Sequence, residues 1–249
     1  MEQGTYSERL SRIQTCWSQI CRAHDGPAPA RQAAQRALLE RYGGAIQRYL
    51  LGAVRDPDVA AELFQEFACQ LLQGDLKGAT PERGKFRNFL RGVLFHMVAD
   101  HHRRKGKLPK QLATNLTEPA APDPILKESE REFLDSWRDE LLARTWTRLG
   151  ELERKKGQPL YTVLRFRAEH PKLKSDELAR ELSTRLRKEV TAAGVRQMIH
   201  RARERFAELL LEDVAHSLEL PSIERVEEEL TDLGLLEYCR PSLEQRRSR

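Results

Sequence analysis

Apolar residues recur at helical spacing through most of this chain, and they divide it into two blocks. Leu10, Ile13, Trp17 and Ile20 place a short amphipathic helix over Tyr6 to Ala23, which His24-Asp25-Gly26-Pro27 breaks. Leu38, Leu39, Tyr42, Ile46, Tyr49 and Leu50 mark the face of a second helix from about Ala30 to Val54, with Gly43-Gly44 as a point that loosens it. Asp56-Pro57-Asp58 opens a third: Asp56 is a capping residue and Pro57 suits a first helical turn. It carries Leu63, Phe64, Phe67, Leu71 and Leu72 and stops near Gly74. Thr80-Pro81-Glu82-Arg83-Gly84 then turns the chain into a fourth helix, on which Phe86, Phe89, Leu90, Val93, Leu94, Met97 and Val98 share a face.

From Lys105 to about Lys127 the pattern dissolves among Pro109, Pro119, Pro122 and Pro124, the composition of an extended linker. Periodicity resumes near Ser129. Phe133, Trp137, Leu141, Leu142 and Leu149 mark one helix, and Tyr161, Val163, Leu164 and Phe166 a second between Pro159 and Pro171. Ser175-Asp176-Glu177 opens a short helix with Leu178, Ala179 and Leu182. The segment 183–193 separates it from a helix over Gly194 to Ala215, whose Val195, Ile199, Ala202, Phe206 and Leu209 face a core. Strand alternation is nearly absent, so the expected class is all-α: two small helical domains joined by a flexible linker. The boundaries are 1–104, linker 105–128, 129–216, and a C-terminal extension 217–249. Ile223, Val226, Leu230, Leu233, Leu235 and Leu236 make that extension one acidic amphipathic helix.

Composition sharpens this picture. Charged residues make up 33% and hydrophobic ones 39%, as in a strongly helical protein with modest cores. The formal net charge is +5, with pI about 9.1. Seven acids and one Arg fall between Glu219 and Glu237, so the remainder is more basic than the total implies. No stretch reaches transmembrane length and the N-terminus has no apolar secretory core, so a cytoplasmic protein is expected. Cys16 and Cys21 lack zinc-knuckle spacing, and Cys69 lies on an apolar helical face; all four cysteines, Cys239 included, are expected as reduced, half-buried thiols. His101 and His102 are adjacent and do not share a helix face, so no metal and no cofactor is expected.

Two basic helices carry the candidate chemistry. The first, FRNFLRGVLFHMVADHHRRKGKLPK, presents Arg87, Arg91, Arg103, Arg104, Lys105, Lys107 and Lys110 with His96, His101 and His102, against the single acid Asp100. Taken alone it is also what a solvated cationic helix end looks like. The second lies in SDELARELS…TAAGVRQMIHRARERFAELL, a short helix, a connection and a second helix, which is a helix-turn-helix pattern. Its outward residues are Arg196, Gln197, His200, Arg201 and Arg203, and Arg suits guanine edges and phosphates while Gln can pair with adenine. Two such surfaces point to nucleic acid gripped at two places.

At these residues the chain resembles the sigma-70-type sigma factors of RNA polymerase, in the extracytoplasmic-function group. Glu62-Leu63-Phe64-Gln65-Glu66-Phe67 is similar to the family's acidic-Leu-x-Gln-Glu-Phe helix in region two. Pro81-Glu82-Arg83-Gly84-Lys85-Phe86-Arg87 and Thr15-Cys16-Trp17-Ser18 resemble motifs of a subset of the group, and VRQMIHRARERFAELL resembles region four. The likeness spans roughly residues 13 to 215. It implies a subunit without catalytic activity that directs core polymerase to promoters. By position, Glu62, Leu63, Gln65, Glu66 and Phe67 would meet the clamp helices of the largest polymerase subunit. Phe86, Arg87, Asn88, Phe89, Arg91, His96, His101, Arg103 and Arg104 would engage start-proximal promoter DNA, where cations and stacking side chains suit an opened strand. Arg196, Gln197, His200, Arg201 and Arg203 would read the upstream element.

The implied partners are core RNA polymerase and promoter DNA, and an anti-sigma factor or other regulator is left open; no membrane is implied. Three departures from the family pattern stand out. His96 replaces a common Asn, Phe89 stands where Trp is frequent, and the connection from Leu182 to Val195 is long, with Arg185, Arg187 and Lys188 in it. An extended turn, an extra helical turn and a backbone-contacting loop are all open readings of that connection. The functional alternatives are a stand-alone helix-turn-helix regulator that never binds polymerase, a helical adaptor, and a nuclease built on Asp100 with His96 and His101. No further carboxylate cluster supports the last of these.

Overall fold

The computed structural model describes residue 23 and residues 27–74, 85–106, 124–218 and 222–247, with the side chains of 124–127 excepted. Residues 1–22, with Cys16, Cys21 and nearly all of the first expected helix, lie outside the described residues, as do the Thr80 to Gly84 turn and most of the linker. Among the described residues there are nine helices and no strand. They are α1 (Ala28–Val54), α2 (Pro57–Gln73), α3 (Phe86–Arg104), α4 (Pro124–Lys156), α5 (Leu160–Glu169), α6 (Ser175–Leu186), α7 (Ala192–Ala215), α8 (Ile223–Asp232) and α9 (Leu236–Arg247). No described helix is long and apolar enough to cross a membrane. The contacts separate into two compact units, Met1–Glu140 with Ala215–Val226, and Leu141–Val214 with Glu227–Arg249.

In the first unit α1 packs on α2 and α3. The α2 start follows its sequence: Asp56 Oδ1 accepts from the Asp58 and Val59 amides at 3.1 and 3.2 Å, and Pro57 takes the first position. Gly74, at φ 77, closes the other end in the left-handed conformation. Buried Gln35 of α1 donates to the Leu72 and Ala23 carbonyls at 3.1 Å each, satisfying a helix-end acceptor. Gly43-Gly44 does not loosen α1, which runs through both. Gly44 instead leaves room for the Glu140 carboxylate, which reaches Arg48 at 2.5 Å.

Phe133 and Trp137, expected to belong to the second block, sit in the core of the first unit. Trp137 stacks on Tyr42 at 4.8 Å and 11°, and Phe133 meets Tyr49 edge-on at 5.4 Å. The Tyr49 hydroxyl hydrogen-bonds Ser129 at 2.7 Å, and burial raises its pKa above the ordinary value. Helix α4 begins at Pro124, inside the stretch expected as linker.

In the second unit α5, α6 and α7 share one core. Val163 and Phe166 of α5, Leu178, Ala179 and Leu182 of α6, and Val195 and Ile199 of α7 form one apolar cluster, flanked by Leu173, Leu186, Val190 and Met198. Glu177 accepts from the Lys174 amide at 2.8 Å, fixing the start of α6. On the far side Trp146 of α4 packs against Phe206 at 4.8 Å and Tyr161 at 5.8 Å. Arg144 bridges to buried Asp213 at 2.6 Å. The extension is not one helix. Gly234, at φ 66, separates α8 from α9, and α9 continues through Pro241 to Arg247.

Candidate nucleic-acid and partner interfaces

Helix α7 presents the upstream candidates together. Its buried Val195, Ile199 and Ala202 recur three or four residues apart and fix the rotation of the helix, which turns Arg196, Gln197, His200, Arg201 and Arg203 outward. All five are exposed. Thr191 Oγ1 accepts from the Gly194 amide at 3.1 Å and caps the helix start. His200 lies 3.4 Å from Glu204 one turn on.

Beside this face runs an open groove of about 550 Å³, lined by Arg167, Leu173, Lys174, Ser175, Leu178, Arg196, Ile199, His200 and Arg203. No acid lines it. Arg167 donates to the Leu173 carbonyl at 2.8 Å, so its guanidinium is held at the α5–α6 corner. Arg167, Lys174 and Ser175 were not legible as site residues, because they lie before α7, at the α5–α6 corner. Their only sequence signal is that they flank the Pro171 turn.

The start-proximal candidates are divided by the fold. Phe86 and Arg87 are 4% and 6% exposed and belong to the packed side of α3. Phe89 is half-buried, 6.4 Å from Phe86 ring to ring. Asn88, His96, Arg103 and Arg104 are exposed, and Arg91 and His101 partly so. Several of these cations already face carboxylates: Arg91 pairs with Glu130, Arg103 with Asp100, and Arg104 lies 3.9 Å from Glu66. The pKa of His101 is lowered from its ordinary value, first by partial desolvation and then by Lys105, His102 and Arg104.

The proposed polymerase-facing residues also divide. Leu63 and Phe67 are 5% and 3% exposed and anchor α2 in the core, while Glu62 and Gln65 are exposed and Glu66 half-exposed. Three polar side chains therefore remain for a partner on this segment. The exposed end of Arg104 extends that surface, since it approaches Glu66 from α3.

The thiols depart from the half-buried expectation. Cys69 is exposed because it falls on the solvent side of α2, whereas Cys239 is fully buried and burial pushes its pKa up to about 12. Among the described residues no group of three His, Cys, Asp or Glu side chains is placed to hold a metal ion. Compared with protein-family models, curated proteins and solved structures, the chain finds no significant match.

Proposed function

We propose that this chain is a promoter-recognition subunit of the sigma-70 kind, close to the extracytoplasmic-function group, that joins core RNA polymerase and guides it to start sites. On this reading it comprises a region-two-like and a region-four-like domain. The observation that carries the proposal is the outward face of α7: Arg196, Gln197, His200 and Arg201 stand exposed on a helix fixed by its buried side, next to a groove without acids. A recognition helix enters the major groove with its N-terminal turns, where Arg and Gln can pair with base edges. Arg167 and Lys174 in the groove are suited to the flanking phosphates. At the other surface, Arg103 and Arg104 with the half-buried ring of Phe89 supply cations and one stacking group for an opened strand. Glu62, Gln65 and Glu66 supply the polar part of a polymerase contact.

The test is transcription in vitro with core polymerase and promoters selected from a genomic library. Arg196→Ala should relax preference at one upstream position, by about 1–3 kcal/mol if it makes a bidentate contact. Replacing Arg103 and Arg104 together should weaken binding across sequences and slow strand opening, and a premelted template should partly rescue it. Indistinguishable behaviour of the two variants on duplex and bubble templates would remove the division of labour.

A stand-alone helix-turn-helix regulator is the second reading. Burial of Leu63 and Phe67 favours it, because the apolar part of the expected polymerase contact is used in the core. Pull-down with core polymerase separates the two. The sigma reading requires binding that Gln65→Ala with Glu66→Ala weakens, whereas a regulator shows no binding to weaken.

A further inference from the structure

The connection between α6 and α7 is longer than a helix-turn-helix needs, and it is built rather than loose. A turn of three or four residues, often with Gly, is the usual joint. Here α6 continues one turn past Leu182 to Leu186, and residues 187–191 lead to α7 with no Gly among them. The end of α6 is closed by a paired cap: the Arg187 amide donates to the Thr184 carbonyl at 3.4 Å and the Lys188 amide to the Ser183 carbonyl at 3.2 Å. The Ser183 hydroxyl donates to the Ala179 carbonyl at 2.7 Å and accepts from the Val190 amide at 2.9 Å. Leu186 and Val190 pack on the apolar cluster of the unit. The joint is thus fixed at both ends.

Within it Arg187 has φ 50, in the left-handed region where glycine is the least strained residue. An arginine there carries a steric penalty that the cap alone does not require. Arg187 and Lys188 are both exposed, and Glu189 is the only acid between Leu186 and α7. Arg185 is different: its guanidinium lies over the Phe166 ring at 4.5 Å, which accounts for it by packing.

We propose that Arg187 and Lys188 form a phosphate-gripping knuckle that contacts the DNA backbone at the edge of the groove entered by α7. This rests on the reading of α7 as the recognition helix. A major groove is about 12 Å wide, so a helix whose first turns face base edges brings the residues just before it alongside the flanking phosphates. Two cations held there by a rigid cap grip the backbone with little ordering cost on binding. Arg55 ends α1 in the same conformation at φ 54, so the distinction of Arg187 is its place beside Lys188 just before α7, where glycine would serve the cap but could not reach a phosphate.

The experiment uses the full chain and a duplex that the wild-type chain enriches from a random library. Arg187→Gly, Lys188→Gln and the pair are compared with Arg196→Ala by fluorescence anisotropy over a range of KCl, alongside thermal melts. The expected result is that Arg187→Gly melts at or above the wild-type temperature yet binds several-fold more weakly. The pair should lower the slope of log K against log salt by up to about 1.8, which is about 0.9 for each phosphate no longer neutralised. The bases tolerated at each position should not change. Wild-type affinity and slope in the pair, with Arg196→Ala still impaired, would overturn the knuckle and leave the recognition helix standing. If Arg196→Ala also binds as wild type, or the wild-type chain enriches no duplex, the reading of α7 fails and the knuckle with it.

Discussion

His101 sits near the cationic end of α3, and its lowered pKa makes it a reporter of that surface. In the unfolded chain a histidine titrates near 6.5, so the folded form takes its proton later as pH falls. Its contribution to stability is therefore full above about pH 6.5 and declines below it. Proton NMR should give a midpoint below 6.5, Lys105→Gln should raise it, and bound promoter DNA should raise it further by supplying phosphate charge. A midpoint unmoved by DNA would take His101 out of the interface. Residue identity was legible in the sequence, but exposure was only half so. Leu63 and Phe67 lie on the same face because they are four apart, and that spacing buried them both rather than offering them to a partner.

At the scale of elements, Gly44 and Gly52, two of the three glycines of α1, should respond differently to alanine. A Cβ on Gly52 meets nothing within 4 Å, so Gly52→Ala should stabilise by about 0.5–1 kcal/mol through helix propensity alone. A Cβ on Gly44 collides with the Glu140 carboxylate and displaces it from Arg48, so the same change there should gain less or lose stability. Urea unfolding of both variants checks this, and equal gains would show that the Glu140 approach is not held. Helix starts and stops were the most legible features, because Asp56-Pro57, Gly74 and Glu177 act within one turn of themselves. The break at Gly234 was less so. The apolar spacing of the extension runs through it, and only the left-handed φ of that glycine splits α8 from α9.

At the scale of the molecule, the extension bears on access to the outward face of α7. Tyr238 of α9 meets the Phe206 ring edge-on at 5.8 Å, and Arg246 donates to the Glu208 carbonyl at 3.3 Å. These contacts are on the later turns of α7, and Arg196, Gln197, His200 and Arg201 stay exposed with the extension in place. Deleting 236–249 should therefore lower the melting temperature of the second unit and leave duplex affinity and its salt dependence unchanged. A rise in affinity on deletion would show instead that the extension shields DNA-binding surface. The sequence by itself determined the all-α class and the two concentrations of cations, because periodicity and charge are local properties of the chain. Tertiary structure alone decided which apolar face meets which. It sent Phe133 and Trp137 into the first unit, placed Arg91 against Glu130, and brought Arg167 and Lys174 beside α7. A helical spacing states that a face will be buried, but the partner that buries it is chosen by packing between segments far apart in the chain.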